Sequence, residues 1–463
     1  MRLAVFTPLP PERSGIAHYA AELLPALLRR HAIDVYTDRP PAAGAAPDGS
    51  DAFGAHDFVW KQSRTPYDLV VYQLGNAACH DYMWAYLTRY PGLLVLHEDQ
   101  LHQSRARALL ASGREDRYRT ELAFDHPDAA PGVAELAVEG ILSDSLVYPW
   151  PMLRLPVAAA RLVAVHGAWF ADRLRRDYPD AGVEPVRMGV GDPLGGGERP
   201  EAPRTRGRAR LGLAPDDIVF AALGSVTPEK RLPQILRALA AVRDAVPSAR
   251  LVLVGAEASR YDVMRDAEAC GVARRVVRAG YVEGAELGDC LAAADVCLCL
   301  RWPGGCETSA SWLRCLAAGK PTVVTDLPHL GEVPALVTRG AWTPSRLAAD
   351  AAAEPIAVSI DLLDEDRSLA IAMRRLAADA GLRRRLGERA RAWWRAHHRI
   401  DAMAEDYERV LALAAARPAP ALPAELLPDR AARARALLAP FDVRVADVLG
   451  GSTAPARGRS ASS

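Results

Sequence analysis

The sequence predicts an α/β protein of two doubly wound, Rossmann-like domains facing each other across a cleft. Three features carry that prediction. Short apolar runs alternate with amphipathic stretches through the first 190 residues, a stretch rich in glycine, proline and arginine interrupts them at Gly191–Arg210, and the same alternation then restarts. Strand–loop–helix repetition of this kind builds parallel sheets covered by helices. The 463 residues, 50% hydrophobic and 25% charged, suffice for two domains that each bury a core.

In the first unit, Leu3–Phe6 reads as a buried strand, followed by a Pro/Gly loop that ends at Gly15. A helix is expected from about Ile16 to Arg30, disturbed at Pro25. Ile33–Tyr36, Leu69–Tyr72, Leu93–Leu96 and Leu162–Val165 continue the strands, with a helix from about Ala168 to Tyr178 after the last. Gly191–Arg210 reads as a linker. In the second unit, strands are expected at Ile218–Leu223, Leu251–Val254, Val276–Val277, Val296–Leu300 and Thr322–Val324. Helices separate them near Pro233–Val246, Tyr261–Cys270, Ala285–Ala294 and Ala310–Ala318. After Asp361 the chain is Arg-rich and helical to about Ala416. From Arg417 it is Pro/Ala-rich, and Gly450–Ser463 is expected to be disordered. Such a tail supplies little core, so ending the chain after Ala416 is expected to leave the fold intact. The domains are thus drawn at 1–190 and 211–390, with a linker at 191–210, a helix at 391–416 and a tail at 417–463.

Composition excludes several functions. With 57 basic and 57 acidic side chains there is no net positive field to attract nucleic acid, and no nucleic-acid partner is expected. The seven cysteines form no Cys-x-x-Cys pair and mostly sit in apolar surroundings, as reduced core thiols of a cytoplasmic protein do. The N-terminal apolar run is too short for a signal peptide, and no run reaches the length of a membrane span. Arg383-Arg384-Arg385 reads as a solvated face, or at most a peripheral contact with anionic lipid.

In open parallel sheets, ligands bind at the carboxyl ends of strands, so strand-end residues matter most. Arg301-Trp-Pro-Gly-Gly-Cys-Glu-Thr-Ser follows a strand, turns on Gly304-Gly305 and enters a helix capped by Thr308 or Ser309. Glycines admit a ligand close to backbone, and a helix N-terminus offers unpaired N–H groups and positive potential, which suits a pyrophosphate. An ordinary capped strand–turn–helix accounts for the same pattern equally well. Gly224-Ser225-Val-Thr-Pro-Glu-Lys230 also follows a strand. Lys230 is one of only three lysines, and a cation there can neutralise a departing diphosphate.

Together these segments resemble the retaining, nucleotide-sugar-dependent GT-B glycosyltransferases of family four, over about residues 1–400. Pro-Pro-Glu-Arg-Ser-Gly15 resembles the family's first loop, Val95-Leu96-His97-Glu98-Asp99 its His-bearing strand end, and Val163-Ala-Val-His166 and Arg187-Met-Gly-Val190 the strands before the linker. Gly280-Tyr-Val, Leu291-Ala-Ala-Ala-Asp295-Val and Pro321-Thr-Val-Val-Thr-Asp326 resemble the segments around the donor loop. The resemblance implies that His97 lies beside the transferred sugar, whereas a histidine satisfied by a carboxylate such as Asp99 is the bland alternative. It implies catalytic roles for His97, Lys230 and Glu307, and donor contacts for Gly15, Gly224, Ser225, Thr308, Ser309 and Arg314. It also implies that the helix around Trp393-Trp394 returns to the first domain.

Two departures stand out. The family's paired glutamates, counted back from Gly319, fall at Cys306 and Arg314, with Glu307 one position late, and its usual arginine after Gly224 is Ser225. A Gly-x-Glu-Thr-Ser-then-Arg variant of the family is what this segment resembles. The implied activity is hexosyl transfer from a nucleoside diphosphate sugar to a glycan, a lipid-linked glycan or a small molecule, with retention and without metal or other cofactor. A catalytically silent nucleotide- or partner-binding protein and a nucleotide-sugar epimerase are the alternatives.

Overall fold

A computed structural model describes residues 1–40, 44, 46–142, 147–195, 201–259, 261–338, 354–427 and 431–448. Two seven-stranded sheets form, each with parallel pairing throughout. The first contains β1 (Arg2–Phe6), β2 (Ala32–Thr37), β3 (Asp51–Gly54), β4 (Leu69–Leu74), β5 (Leu93–Leu96), β6 (Leu162–His166) and β7 (Val183–Val186). The second contains β8 (Ile218–Leu223), β9 (Ala249–Val254), β10 (Val276–Gly280), β11 (Val296–Cys299), β12 (Thr322–Thr325), β13 (Ala335–Val337) and β14 (Ala357–Ile360). Their orders are 3-2-1-4-5-6-7 and 10-9-8-11-12-14-13. Winding therefore reverses between β1 and β4 and again between β8 and β11, and a reversal of this kind opens a crevice at the strands' carboxyl ends.

Because both faces are covered, inner strands such as β4, β5, β8 and β11 are near-continuous apolar runs rather than alternating. Along β1, Leu3 and Val5 enter one core with Leu23, Leu24 and Leu27 of the Gly15–Leu28 helix, while Ala4 and Phe6 enter the opposite core with Tyr36, Phe58 and Tyr72. The Gly15–Leu28 helix continues through Pro25, since burial on either side of the proline outweighs one lost backbone bond.

Three expectations are corrected. The strand expected at Arg187–Val190 is Val183–Val186 instead. Met188 and Val190 are buried against the C-terminal helices, where Val190 exchanges bonds with His398 and Trp394 (2.9 and 3.1 Å). Within the expected linker, Glu201–Leu211 is a helix. Pro203 is accommodated in its first turn, where no N–H is needed. Arg204 and Arg208 both bond Asp295 (2.7 and 2.9 Å), which itself accepts from Val219 N, so Asp295 joins this helix to β8.

The third correction concerns the return to the first domain. Ala380–His397, which carries Trp393 and Trp394, packs on the Ala310–Ala317 helix of the second domain. The returning helix is Ile400–Ala416, which lies along the Gly15–Leu28 helix with Met403, Tyr407, Val410, Leu411 and Ala414 buried. The tail then docks as well. Leu426 is 1% exposed in the first-domain core beside Leu422, and Arg117 bonds the carbonyls of Glu425 and Leu426. Gly450–Ser463, expected to be disordered, lies outside the described residues. No described helix is long and apolar enough to cross a membrane.

Ending the chain after Ala416 should therefore destabilise it by about 2–3 kcal/mol, the cost of exposing one buried leucine and its half-buried neighbour. Ending it after Leu427 should leave stability unchanged, because no later residue whose burial is described is buried. Urea unfolding of the two truncations checks this.

Candidate active site

The loops after β1, β4 and β5 face those after β8 and β11 across a cavity of about 1830 Å³. A single ligand of drug size occupies roughly 300–1,000 Å³, so the cleft has room for two reactants. All nine residues singled out in the sequence line it: Gly15, His97, Gly224, Ser225, Lys230, Glu307, Thr308, Ser309 and Arg314.

On the second-domain wall, Gly224 has φ +102°, a conformation glycine adopts freely. A Cβ there would lie 3.1 Å from Lys230 Nζ, so the bare backbone makes room for the ammonium. Lys230 ends a short 3-10 turn, Pro228–Lys230, and is half-buried. Burial, reinforced by the nearby Arg301 charge, lowers its pKa to about 7. Its neighbour Arg231 adopts φ +59° and turns away to Glu365, 2.9 Å from Arg231 Nε. Ser225 is exposed on the same loop.

Ser309, rather than Thr308, caps the Ala310–Ala317 helix, accepting from Trp312 N at 3.3 Å. Ala310 and Ser311 line the cleft, and first-turn N–H groups of a helix have no partner within it. Thr308 instead donates to His166 O of the first domain at 3.4 Å. Glu307 accepts from Gly305 N at 2.7 Å and pairs with Arg301, so it braces the glycine turn. Arg314 reaches across the cleft to Glu22 Oε1 at 2.8 Å, and the other Glu22 oxygen accepts from Gly191 N at 3.1 Å.

On the first-domain wall, Gly15 opens the first helix, which Ser14 caps at 3.2 Å from Ile16 N. His97 stands at the end of β5 with its ring edge-on to Tyr19, centroids 4.8 Å apart. Burial, and then His166 and His80 nearby, hold its pKa well below the ordinary histidine range, so the ring is neutral. Its partner is Gln73 (2.7 Å), not Asp99, which pairs with Arg173. Gln73 donates its Nε2 to Tyr407 Oη (2.9 Å), so its Oε1 accepts from His97 Nε2–H. That fixes the tautomer and leaves His97 Nδ1 as an acceptor. His166 bonds Val186 O at 3.2 Å, a structural role.

Three cleft residues carry no site assignment from the sequence. Glu98 accepts from Asn76 N at 2.7 Å, and burial raises its pKa to about 7, opposed by that bond and by Arg301. Its signal was the His97-Glu98-Asp99 run itself. Arg301 lies in the loop after β11, where a strand-end cation was readable. His80, buried with both ring nitrogens unpartnered and its pKa lowered to about 4 by burial, sits in a short turn that no sequence signal marks. Among the described residues, no group of three or more His, Cys, Asp or Glu is arranged to hold a metal ion.

Residues 217–364, β8 through β14, match the family model described as Glycosyl transferases group 1. A search of curated proteins finds no match. The chain is similar in structure to sucrose-phosphate synthase from Thermosynechococcus elongatus, with TM-score 0.59 and 15% identity, covering 89% of this chain and 98% of that one. It is similar to Anabaena HepE in complex with UDP-glucose, with TM-score 0.59 and 14% identity, covering 89% and 99%. It is also similar to the catalytic domain of starch synthase IV from Arabidopsis thaliana bound to ADP and acarbose, with TM-score 0.54 and 12% identity, covering 90% and 99%. At these identities the likeness is one of fold, and the fold is GT-B.

Two predictions follow from the geometry. A nucleotide sugar held by the Lys230 ammonium should bind more weakly above pH 7, by at most about tenfold per unit as the free ammonium deprotonates. Lys230→Arg, which stays charged, should flatten that fall in calorimetric titrations at several pH values. Tyr407→Phe strands the Gln73 amide in the core and should cost about 1–3 kcal/mol in unfolding free energy.

Proposed function

We propose that the chain is a glycosyltransferase moving a hexose from a nucleoside diphosphate sugar to an acceptor hydroxyl, with retention of anomeric configuration. The observation that carries the reading is the opposition, across one cleft, of a wall fit to bind an anion and a wall that offers a neutral histidine acceptor. Lys230 and the Ser309-capped helix end form the first; His97 with its free acceptor nitrogen forms the second. The group 1 match covers the anion-binding wall, and two structures similar in fold are complexes with UDP-glucose and with ADP.

Breaking the bond between sugar and diphosphate concentrates negative charge on the leaving oxygen. A fixed ammonium and helix-end N–H groups stabilise that charge more in the transition state than in the ground state. These groups supply the positive charge without a metal. His97 Nδ1 accepts a hydrogen bond from a hydroxyl of the donor sugar and so positions the sugar ring. The acceptor enters on the first-domain side, where Asn76, His80 and Glu98 line the cavity; a glycan, a lipid-linked glycan or a small molecule all present the required hydroxyl. A cytoplasmic setting suits the seven free cysteines.

One observation favours a catalytically silent nucleotide-binding protein instead: Glu307 and Arg314, both in the cleft, are already engaged by Arg301 and Glu22. Incubating the purified chain with a panel of nucleotide sugars separates the two. Slow hydrolysis that releases the sugar in the donor's own anomeric form supports the transferase; saturable binding with the donor left intact supports the silent protein. With an active donor in hand, Lys230→Ala should lower turnover roughly 10²–10³-fold, the effect of removing one preorganised stabiliser of developing negative charge.

A further inference from the structure

We infer that Arg301 is the second cation of the diphosphate site and that Glu307 is its resident counter-ion, displaced when the anion binds. The inference rests on the nucleotide-sugar reading of the cleft and assigns a role to a residue that reading leaves unused.

Lys230 and Arg301 leave the two central strands of the second sheet, β8 and β11, at the point where its winding reverses. The remaining second-domain cations along the cavity are committed elsewhere. Arg314 holds Glu22, and Arg206 bonds Asp289 at 2.9 Å. Arg231, next to Lys230, is turned to Glu365. Lys230 and Arg301 are thus the pair that faces an incoming anion from this wall.

The surroundings of Arg301 hold it there. Its backbone N–H donates to Thr325 Oγ1 at 3.3 Å. A Cβ at Gly304 would lie 3.1 Å from Arg301 Cδ, so the stem rests on the glycine turn. Glu98, Tyr148 and Glu229 also bear on its charge, Glu98 from the opposite domain. Two half-buried cations side by side repel each other unless an anion stands between them and solvent. In the open cleft Glu307 supplies it: Oε1 pairs with the guanidinium while Oε2 accepts from Gly305 N. A diphosphate brings its own negative charge to the same guanidinium, so Glu307 and the ligand compete for one partner. A guanidinium accommodates that exchange because its fork of N–H donors fits carboxylate and phosphate alike.

The test measures binding of inorganic pyrophosphate by calorimetry to the full-length protein and four variants of it. Glu307→Gln keeps an oxygen for Gly305 N and loses only the charge. It should bind pyrophosphate about tenfold more tightly, whereas Arg301→Ala should bind about tenfold more weakly, the scale of one charge-assisted hydrogen bond. In Arg301→Ala/Glu307→Gln the gain should vanish, because the counter-ion has nothing left to release. Arg301→Lys should recover part of the lost affinity, which separates charge from misfolding; the Tm of each protein is recorded alongside. Unchanged or weaker binding by Glu307→Gln, or a gain that persists in the double variant, overturns the inference. Pyrophosphate binding needs no turnover, so the two readings fail separately. A chain inert toward every nucleotide sugar that follows this pattern loses only the transferase reading; a chain that transfers sugar without the pattern loses only the role of Arg301.

Discussion

The geometry of the cleft depends on one buried hydroxyl. Tyr407 comes from the last long helix of the chain, yet its oxygen sits between Tyr19 Oη at 2.7 Å and Gln73 Nε2 at 2.9 Å in the core of the first domain. Gln73 in turn holds His97. A chain of hydrogen bonds therefore runs from the C-terminal helix, through the central strand β4, to the His97 ring that lines the cleft. In a low-dielectric interior each member must keep its partners, because an orphaned polar group there costs more than the bond itself contributes. The C-terminal helix is thus part of the active-site support as well as a domain tie. Trp394 on Val190 and His398 on Met188 secure the crossing between domains from the other side.

Around that fixed frame the cleft separates charge. Positive groups gather on the second domain, at Lys230, Arg301 and the Ser309-capped helix. The first domain contributes neutral histidines and Glu98, whose proton is held to about pH 7 by burial. An ion pair, Arg314 to Glu22, bridges the two walls, and Arg391 pairs with Asp192 at 2.7 Å beside the crossing segment.

Much of this was legible in the sequence, for reasons that are physical. The strands buried on both faces announce themselves as continuous apolar runs, and the strand-end loops follow from them, so the nine named residues converge on one cavity. Elements that break the pattern were harder. Strand β7 contains Glu184 and Pro185, tolerable because it is an edge strand, and β3 has few apolar side chains. Strands β13 and β14 are short, and Glu201–Leu211 hides its helical character behind arginines and a first-turn proline. The partners of His97 and Arg314 were not legible at all. Tertiary folding brings Gln73 to His97 across 24 residues, Glu22 to Arg314 across 292 and Tyr407 to Gln73 across 334, and no local spacing encodes that.

The most direct measurement is a crystal structure of the chain with a nucleoside diphosphate sugar or its hydrolysis-resistant analogue. The account predicts the diphosphate between Lys230 Nζ and the first N–H groups of the Ala310–Ala317 helix, with the sugar within hydrogen-bond reach of His97 Nδ1. A nucleotide bound outside this cleft, or bound within it with the sugar turned away from His97 and the diphosphate away from Lys230, would contradict it.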